Sequence, residues 1–419
     1  MTRRWSIIHA LCAHAALPMS GQVWQVFDMA TAGLPSNTVK AIAHDGLGGT
    51  WVGTDWGLTH FDGSSWEVFQ TQEGLPENDV RALAFDGQGR LWIGHFTQGL
   101  VVKDGGSWTQ FLPGSSPMPS DQVRNITFDG QGNAWISTTN GLARTDLLEW
   151  RIYNDTDTSY NNQMLPGVNI SDVAVRGDGL VCIGTLNAGF TYLTSNSVLV
   201  YNTSNDLLPD NTALGVAIDS EGDRWAACPS GGLVRFSGPY DNGLFFQFIT
   251  DFTNIPTNAL NDIVIDGDDR KIIATQSAGL TILGSNNATW TTFDTDNSDL
   301  PDNEVTCVSI APDGAIWAGT ANGGVVRFDI TAALVEESAD PIRASAYPNP
   351  FDGPVTLATR GVSGTLEWAL QDGVGRILRT GSGQAPGQLD LPVQDVPAGT
   401  YGLRIRVANQ FRTLLLIKR

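Results

Sequence analysis

Histidine and cysteine are scarce in this chain, with five and four residues among 419. Cys12 falls in an N-terminal leader-like stretch, and Cys182, Cys228 and Cys307 stand far apart with no CxxC pair. An odd remainder without paired spacing argues against a disulfide framework and against a zinc site. The three are expected to be small core residues. Beyond the leader only His44, His60 and His95 remain, and no H-E-x-x-H, G-x-S-x-G, phosphate loop or Rossmann glycine set occurs. Metalloprotease, serine hydrolase and nucleotide chemistry therefore lack their minimal parts. Long hydrophobic runs are missing too. The one apolar stretch of note, Trp5 to Leu17, follows Arg3 and Arg4 and is too short to span a bilayer. It reads as a signal peptide over residues 1–21, leaving a mature chain with no transmembrane segment.

Positive charge is the other shortage, with 24 Lys and Arg against 44 Asp and Glu. From Pro341 onward the chain holds nine basic and five acidic residues; setting aside the two leader arginines leaves 13 basic against 39 acidic ahead of it. A body with a net charge of −26 repels nucleic acid and anionic lipid, so neither is an expected partner.

What is abundant is glycine, 47 residues, and it is spread at regular intervals. A prolyl motif recurs at Pro35, Pro76, Pro119, Pro166, Pro209, Pro256 and Pro301, with spacings of 41 to 47 residues. After Pro35 come Asn37, a strand-like Val39 to His44, a turn, Trp51-Val52-Gly53-Thr54, Gly57-Leu58 leading to Phe61, then Trp66 to Phe69. Four short β segments per repeat, here A to D, make one propeller blade. The A, B and C set occurs seven times but only six D segments follow it, while Trp24 to Phe27 stands alone ahead of the first A. That count predicts seven blades, with the N-terminal strand completing the last one and removing exposed edges. The tryptophans at the B position, Trp51, Trp92, Trp135, Trp225 and Trp317, are expected between blades. The Asp-Gly pairs at Asp86 and Asp129 are expected to be turns. No cofactor is expected. Calcium at Asp266, Asp268 and Asp269, or at Asp155 and Asp157, would need six or more oxygen ligands, and no such spaced set is visible.

The pattern L-P-x-N-x-V, D-x-x-G, W-I-G-T and G-L over roughly Val23 to Ile330 resembles the two-component regulator propeller repeat, which forms the sensor region of hybrid two-component systems of Bacteroidota. Blades four to six are degenerate. The resemblance implies a sensor's ligand-binding role. Signalling is not expected to carry over, because no kinase, membrane helix or DNA-binding part is recognisable in the sequence.

An acidic linker at 333–345 follows the propeller at 22–332 and leads to a second module at 346–419. Alternating apolar strands with Gly and Pro turns predict a small β-sandwich there. Its ordered motifs are Tyr347-Pro348-Asn349-Pro350-Phe351, Asp372-Gly373-Val374-Gly375-Arg376, Leu389-Asp390-Leu391, Pro397-Ala398-Gly399-Thr400-Tyr401 and a terminal strand ending Lys418-Arg419. That order is similar to the type A C-terminal sorting domain of the type IX secretion system. The resemblance implies export by that machinery, with the sorting signal on Tyr347, Pro348, Asn349, Pro350, Phe351, Gly399, Tyr401 and Lys418, and a secreted or outer-surface location.

The B to C turns vary most between blades, so the ligand is expected there: Asp55, Trp56, His95, Phe96, Gln98, Asn140, Asn187, Gln276 and Asn322. Two aromatics among amides suit a sugar or a peptide side chain. The expectation is a binding protein for an extracellular glycan or protein and not an enzyme. Two alternatives stay open, a structural or adhesive scaffold without a pocket and a propeller lyase or hydrolase.

Overall fold

A computed structural model describes residues 24–156, 164–193, 198–205, 208–238, 244–251, 253–329, 343–347, 351–372, 376–407 and 410–418. The leader at 1–21, Asp157, Pro348 to Pro350, Gly373 to Gly375 and most of the linker lie outside the described residues.

Among the described residues there are seven four-stranded antiparallel sheets and one five-stranded sheet. The inner strands A are Val39–His44, Val80–Phe85, Val123–Phe128, Ile170–Val175, Gly215–Ile218, Leu260–Ile265 and Val305–Ile310. Each packs against the A strand of the next blade, and the last packs against the first, so the seven form a closed ring. The strand Trp24–Phe27 pairs antiparallel with Val325–Phe328 and supplies the missing outer strand of blade 7. Trp24 seals that seam by stacking on Phe328, with ring centroids 4.4 Å apart.

The B strands, such as Thr50–Thr54 and Leu91–His95, are buried at every position in all seven blades. Each lies between neighbouring sheets on both faces, which is why it reads as a continuous apolar run instead of alternating. The B-strand tryptophans are 0–7% exposed. Trp92, Trp135 and Trp225 each donate the indole N–H to the aspartate of the preceding turn, Asp86, Asp129 and Asp219, at 2.9–3.2 Å. The same aspartates accept turn N–H groups, as Asp86 does from Gln88 and Arg90 at 2.9 Å. The expected Asp-Gly turn is thus a wider loop organised by the carboxylate. The glycine of the Trp-x-Gly motif marks a close approach. A Cβ on Gly53 or Gly94 would lie 2.6 or 2.5 Å from a methyl of Val80 or Val123, the first inner-strand residue of the next blade. In blades 1, 5, 6 and 7 the asparagine of the Pro-x-Asn motif clamps the loop before the inner strand, with Asn37, Asn211, Asn258 and Asn303 each accepting the N–H eight residues upstream at 2.8–2.9 Å. Cys182, Cys228 and Cys307 are free and buried, and burial pushes the thiols of Cys228 and Cys307 up to about 12.

In the C-terminal module the strands Arg343–Tyr347, Val355–Gln371, Ile377–Leu391, Gly399–Val407 and Gln410–Lys418 form one continuous sheet. This differs from the expected sandwich of separate sheets. Two long strands, Val355–Gln371 and Ile377–Leu391, pair in two stretches separated at Thr359/Gly364, and the sheet folds over itself there. The enclosed core contains Phe351, Leu357, Trp368, Leu391, Tyr401, Leu403 and Leu416.

Candidate functional site

Six inner strands share one irregularity. In blades 1, 2, 3, 4, 6 and 7 the A to B register shifts between the first and third residues of the strand, leaving the second unpaired. A bulge re-aims that extra side chain. The bulged residues are Lys40, Arg81, Arg124, Ser171, Asn261 and Thr306, all half-buried at the innermost strands of the ring.

In blades 4, 6 and 7 the bulged side chain ties the ring together. Ser171 Oγ donates to the Ala213 carbonyl, Asn261 Nδ2 to Val305 O at 2.8 Å, and Thr306 Oγ1 to Val39 O at 2.7 Å. Each acceptor belongs to the next blade. Blades 1 to 3 place cations at the same position. Arg81 forks onto Asp79, Nε to Oδ1 at 2.7 Å and Nη2 to Oδ2 at 2.8 Å. Arg124 has a buried Nε without a hydrogen-bond partner, and burial together with the neighbouring Arg81 charge pulls its pKa down. Lys40 has no hydrogen bond or ion pair among the described residues.

The following residue of the inner strand is Asp172 in blade 4 and Asp262 in blade 6. Asp172 Oδ2 accepts the Val216 N–H of blade 5 at 2.7 Å, and Asp262 Oδ2 accepts the Val308 N–H of blade 7 at 2.9 Å. Their other oxygens accept the N–H of Val173 and Ile263 at 2.8 Å. Blade 5, between them, has Gly215, whose Cβ would lie 3.0 Å from the Asp262 backbone. Enclosure raises both carboxyls above the usual carboxylate range, and for Asp172 the Asp262 charge adds to burial and brings it to about 7. Both ion types thus line one ring, and no salt bridge joins Asp172 or Asp262 to Lys40, Arg81 or Arg124 among the described residues.

The B to C turns stand at the same end of the ring as these bulges. The first turn residue donates its N–H to the carbonyl just before the inner strand, as Asp55 does to Thr38 at 3.4 Å, Phe96 to Asp79 at 3.3 Å and Ala321 to Glu304 at 3.0 Å. The sequence-expected residues differ in what they present there. Trp56 is 63% exposed and Phe96 40%. One face of Phe96 is taken by Arg81, with the guanidinium carbon 4.3 Å from the ring centroid. Asp55 has a buried Oδ1 without a partner. Both oxygens of Gln98 accept from Gln110 Nε2, Asn140 Nδ2 donates to Pro119 O at 3.1 Å, and Asn322 Nδ2 donates to Asp302 Oδ2 at 3.0 Å. Asn187 is exposed, and Gln276 is held through its backbone N–H to Ala259 O at 2.9 Å.

His95 is a correction: it is 0% exposed, so it cannot meet a ligand on that face. It ends a B strand where five other blades have threonine, and B strands are buried on both sides. Burial lowers its pKa, like that of His44, to about 4, so both rings are neutral at physiological pH.

Sequence reasoning missed Lys40, Arg81, Arg124, Asp172 and Asp262. For Arg124, Asp172 and Asp262 the available signal was a polar pair at the second and third places of otherwise apolar inner strands, as in Val123-Arg124-Asn125-Ile126 and Leu260-Asn261-Asp262-Ile263; Lys40 and Arg81 are followed by alanine and carry no such mark.

Among the described residues no three His, Cys, Asp or Glu gather as a metal site. Asp266, one of the residues weighed for calcium, spends its oxygens on Asp268 N, Arg270 N and Arg270 Nε at 2.5–2.9 Å. In the C-terminal module the motif residues partly converge. Phe351 bridges to Lys418, Gly399 pairs with Lys418 across the sheet, and Lys418 Nζ donates to Asp352 O at 3.0 Å and Gln394 O at 3.2 Å. Tyr401 is buried with its hydroxyl on Pro397 O, whereas Tyr347 is 45% exposed.

Residues 74–97 and 299–322 match the two component regulator propeller family. Each match spans the Leu-Pro-x-Asn loop and the A and B strands of one blade. In structure the chain is similar to the extracellular domain of a hybrid two component system from B. thetaiotaomicron, with a TM-score of 0.63 and 18% identity over 94% of this chain and 57% of that one. It is also similar to PorZ, an essential bacterial surface component of the type-IX secretion system of Porphyromonas gingivalis, with a TM-score of 0.54 and 18% identity over 94% of this chain and 60% of that one. A streptogramin B lyase matches with a TM-score of 0.58 and 14% identity over 75% of this chain and 99% of that one. At these identities the structural likeness bears on the fold alone. The chain spans less than two thirds of the first two proteins. No curated protein matches it in sequence. Among the described residues no helix is long and apolar enough to cross a membrane.

Proposed function

We propose that this chain is an exported surface-acting binding protein whose propeller takes an extracellular glycan or protein ligand at the end of the ring that carries the B to C turns. The observation that carries this reading is the exposed Trp56 standing at the same end as an inner wall on which Arg124 keeps a buried Nε without a hydrogen-bond partner. An aromatic face beside hydrogen-bonding groups recognises by stacking and polar contact together. A glycan and peptide array probed with the full chain tests it. Saturable binding that Trp56→Ala weakens at least fivefold is the expected result, and absence of any saturable ligand would leave a scaffold role instead.

A second reading has one observation in its favour. Asp172, protonatable near neutrality and set in the ring, is the kind of group a lyase or hydrolase uses as acid or base. Its oxygens are, however, both taken by backbone N–H groups, which fits a structural bridge better than proton transfer. Turnover of any array ligand, lost in Asp172→Asn, would reverse that preference.

For export, the convergence of Phe351, Gly399 and Lys418 favours the type IX sorting role for the C-terminal module. A reporter fused to residues 333–419 should leave a bacterium that has this secretion system, and should stay in the periplasm when Gln410 to Arg419 is removed.

A further inference from the structure

We propose that the bulged positions of blades 1 to 3 bind a single carboxylate carried by an otherwise neutral saccharide. The inference deepens the binding reading above and rests on it for the glycan class. Its basis is a contrast at one backbone position. Where Ser171, Asn261 and Thr306 spend their side chains on the next blade, Lys40 and Arg124 spend theirs on nothing among the described residues, and Arg124 Nε is buried without an acceptor. An unmet guanidinium N–H in a half-buried site is costly to keep. Asp79, beside the cations, is already committed to Arg81 in a fork. A guanidinium offers a planar pair of donors that fits a carboxylate, and Lys40 at the same position of blade 1 adds charge.

The rest of the propeller limits what can arrive. Its net negative charge repels a polyanion, so a ligand with one acidic group on a neutral chain enters most readily. Trp56, on the turn hydrogen-bonded to Thr38 two residues before Lys40, gives the neutral part an apolar ring to lie on. That ring face favours a sugar.

Calorimetry on the full chain decides this, using a glucuronic acid-terminated disaccharide, its glucose-terminated counterpart and a neutral peptide with a free C-terminal carboxylate. The acidic disaccharide should bind at least tenfold more tightly than the neutral one. Arg124→Gln should cost at least tenfold in affinity, and Arg124→Lys should recover part of it. Melting of Arg124→Gln should be unchanged or higher, which shows that the lost affinity is not a lost fold. Equal binding of the two sugars, or no effect of Arg124→Gln, overturns the site. Preference for the peptide overturns the saccharide assignment. Acid-dependent binding that Trp56→Ala leaves intact removes the turn face from the binding reading while the carboxylate site stands.

Discussion

Two arcs of the same ring use one bulged position in opposite ways. In blades 4, 6 and 7 Ser171, Asn261 and Thr306 hydrogen-bond the backbone of the next blade, and Asp172 and Asp262 beside them do the same. In blades 1 to 3 the position carries Lys40, Arg81 and Arg124, and the neighbouring residues are Ala41, Ala82 and Asn125. The first arc ties each blade to the next, while in the second Arg81 is spent within its own blade on Asp79 and Arg124 Nε is left without an acceptor.

Among single substitutions, breaking the stabilising arc should have the largest effect. Asp262→Ala removes the acceptor of two backbone N–H groups in an enclosed place, Ile263 and Val308, and should cost about 2 kcal/mol of unfolding free energy in urea. A cost near zero would mean that solvent in the ring replaces the carboxylate.

Next comes pH. The folded value of Asp172, about 7, lies above its ordinary 3.8. The native state therefore holds a proton that the unfolded chain releases, and this contribution is full below about pH 4 and lost as pH rises through about 7. His44 and His95, lowered to about 4 from 6.5, act oppositely, contributing fully above pH 6.5 and losing it as pH falls through about 4. Subtracting the stability curve of Asp172→Asn from that of the natural chain isolates the carboxyl. The difference should decline with rising pH by at most about 1.4 kcal/mol per unit between pH 4 and 7. A flat difference would place the Asp172 carboxyl in ordinary solvent.

Smaller still is the loss of one hydrogen bond between blades. Thr306→Val keeps the shape and removes the bond from blade 7 to Val39 of blade 1, which should lower stability by about 1 kcal/mol. The least effect is expected across the ring, where Arg124→Gln should change stability by less than about 0.5 kcal/mol or raise it.

The comparison also explains which parts of the molecule were legible from sequence. Seven blades and their closure were readable because the repeated residues are the architectural ones: the Pro-x-Asn asparagine clamps a loop, the turn aspartate holds the B-strand tryptophan, and the motif glycine admits the next blade. Each role recurs with the fold and so recurs in the sequence. The continuous sheet of the C-terminal module was not readable. Gly361, Gly364, Gly381 and Pro386 look like turn residues, yet they lie inside the two long strands. On the turn face Trp56 and Phe96 are exposed, whereas His95 is buried because it ends a strand enclosed on both sides. The inner wall was missed because a bulge leaves no mark in a single strand's pattern; it only makes two adjacent polar residues look like a flaw in alternation.

The central claim is that the bulged position divides into ring-tying and ligand-facing arcs, and urea unfolding of Thr306→Val and Arg124→Gln side by side tests it most directly. The account predicts a lower midpoint for Thr306→Val and an unchanged or higher one for Arg124→Gln. A midpoint that falls for Arg124→Gln by as much as for Thr306→Val would contradict it, because Arg124 would then be holding the ring together like its counterparts across the channel.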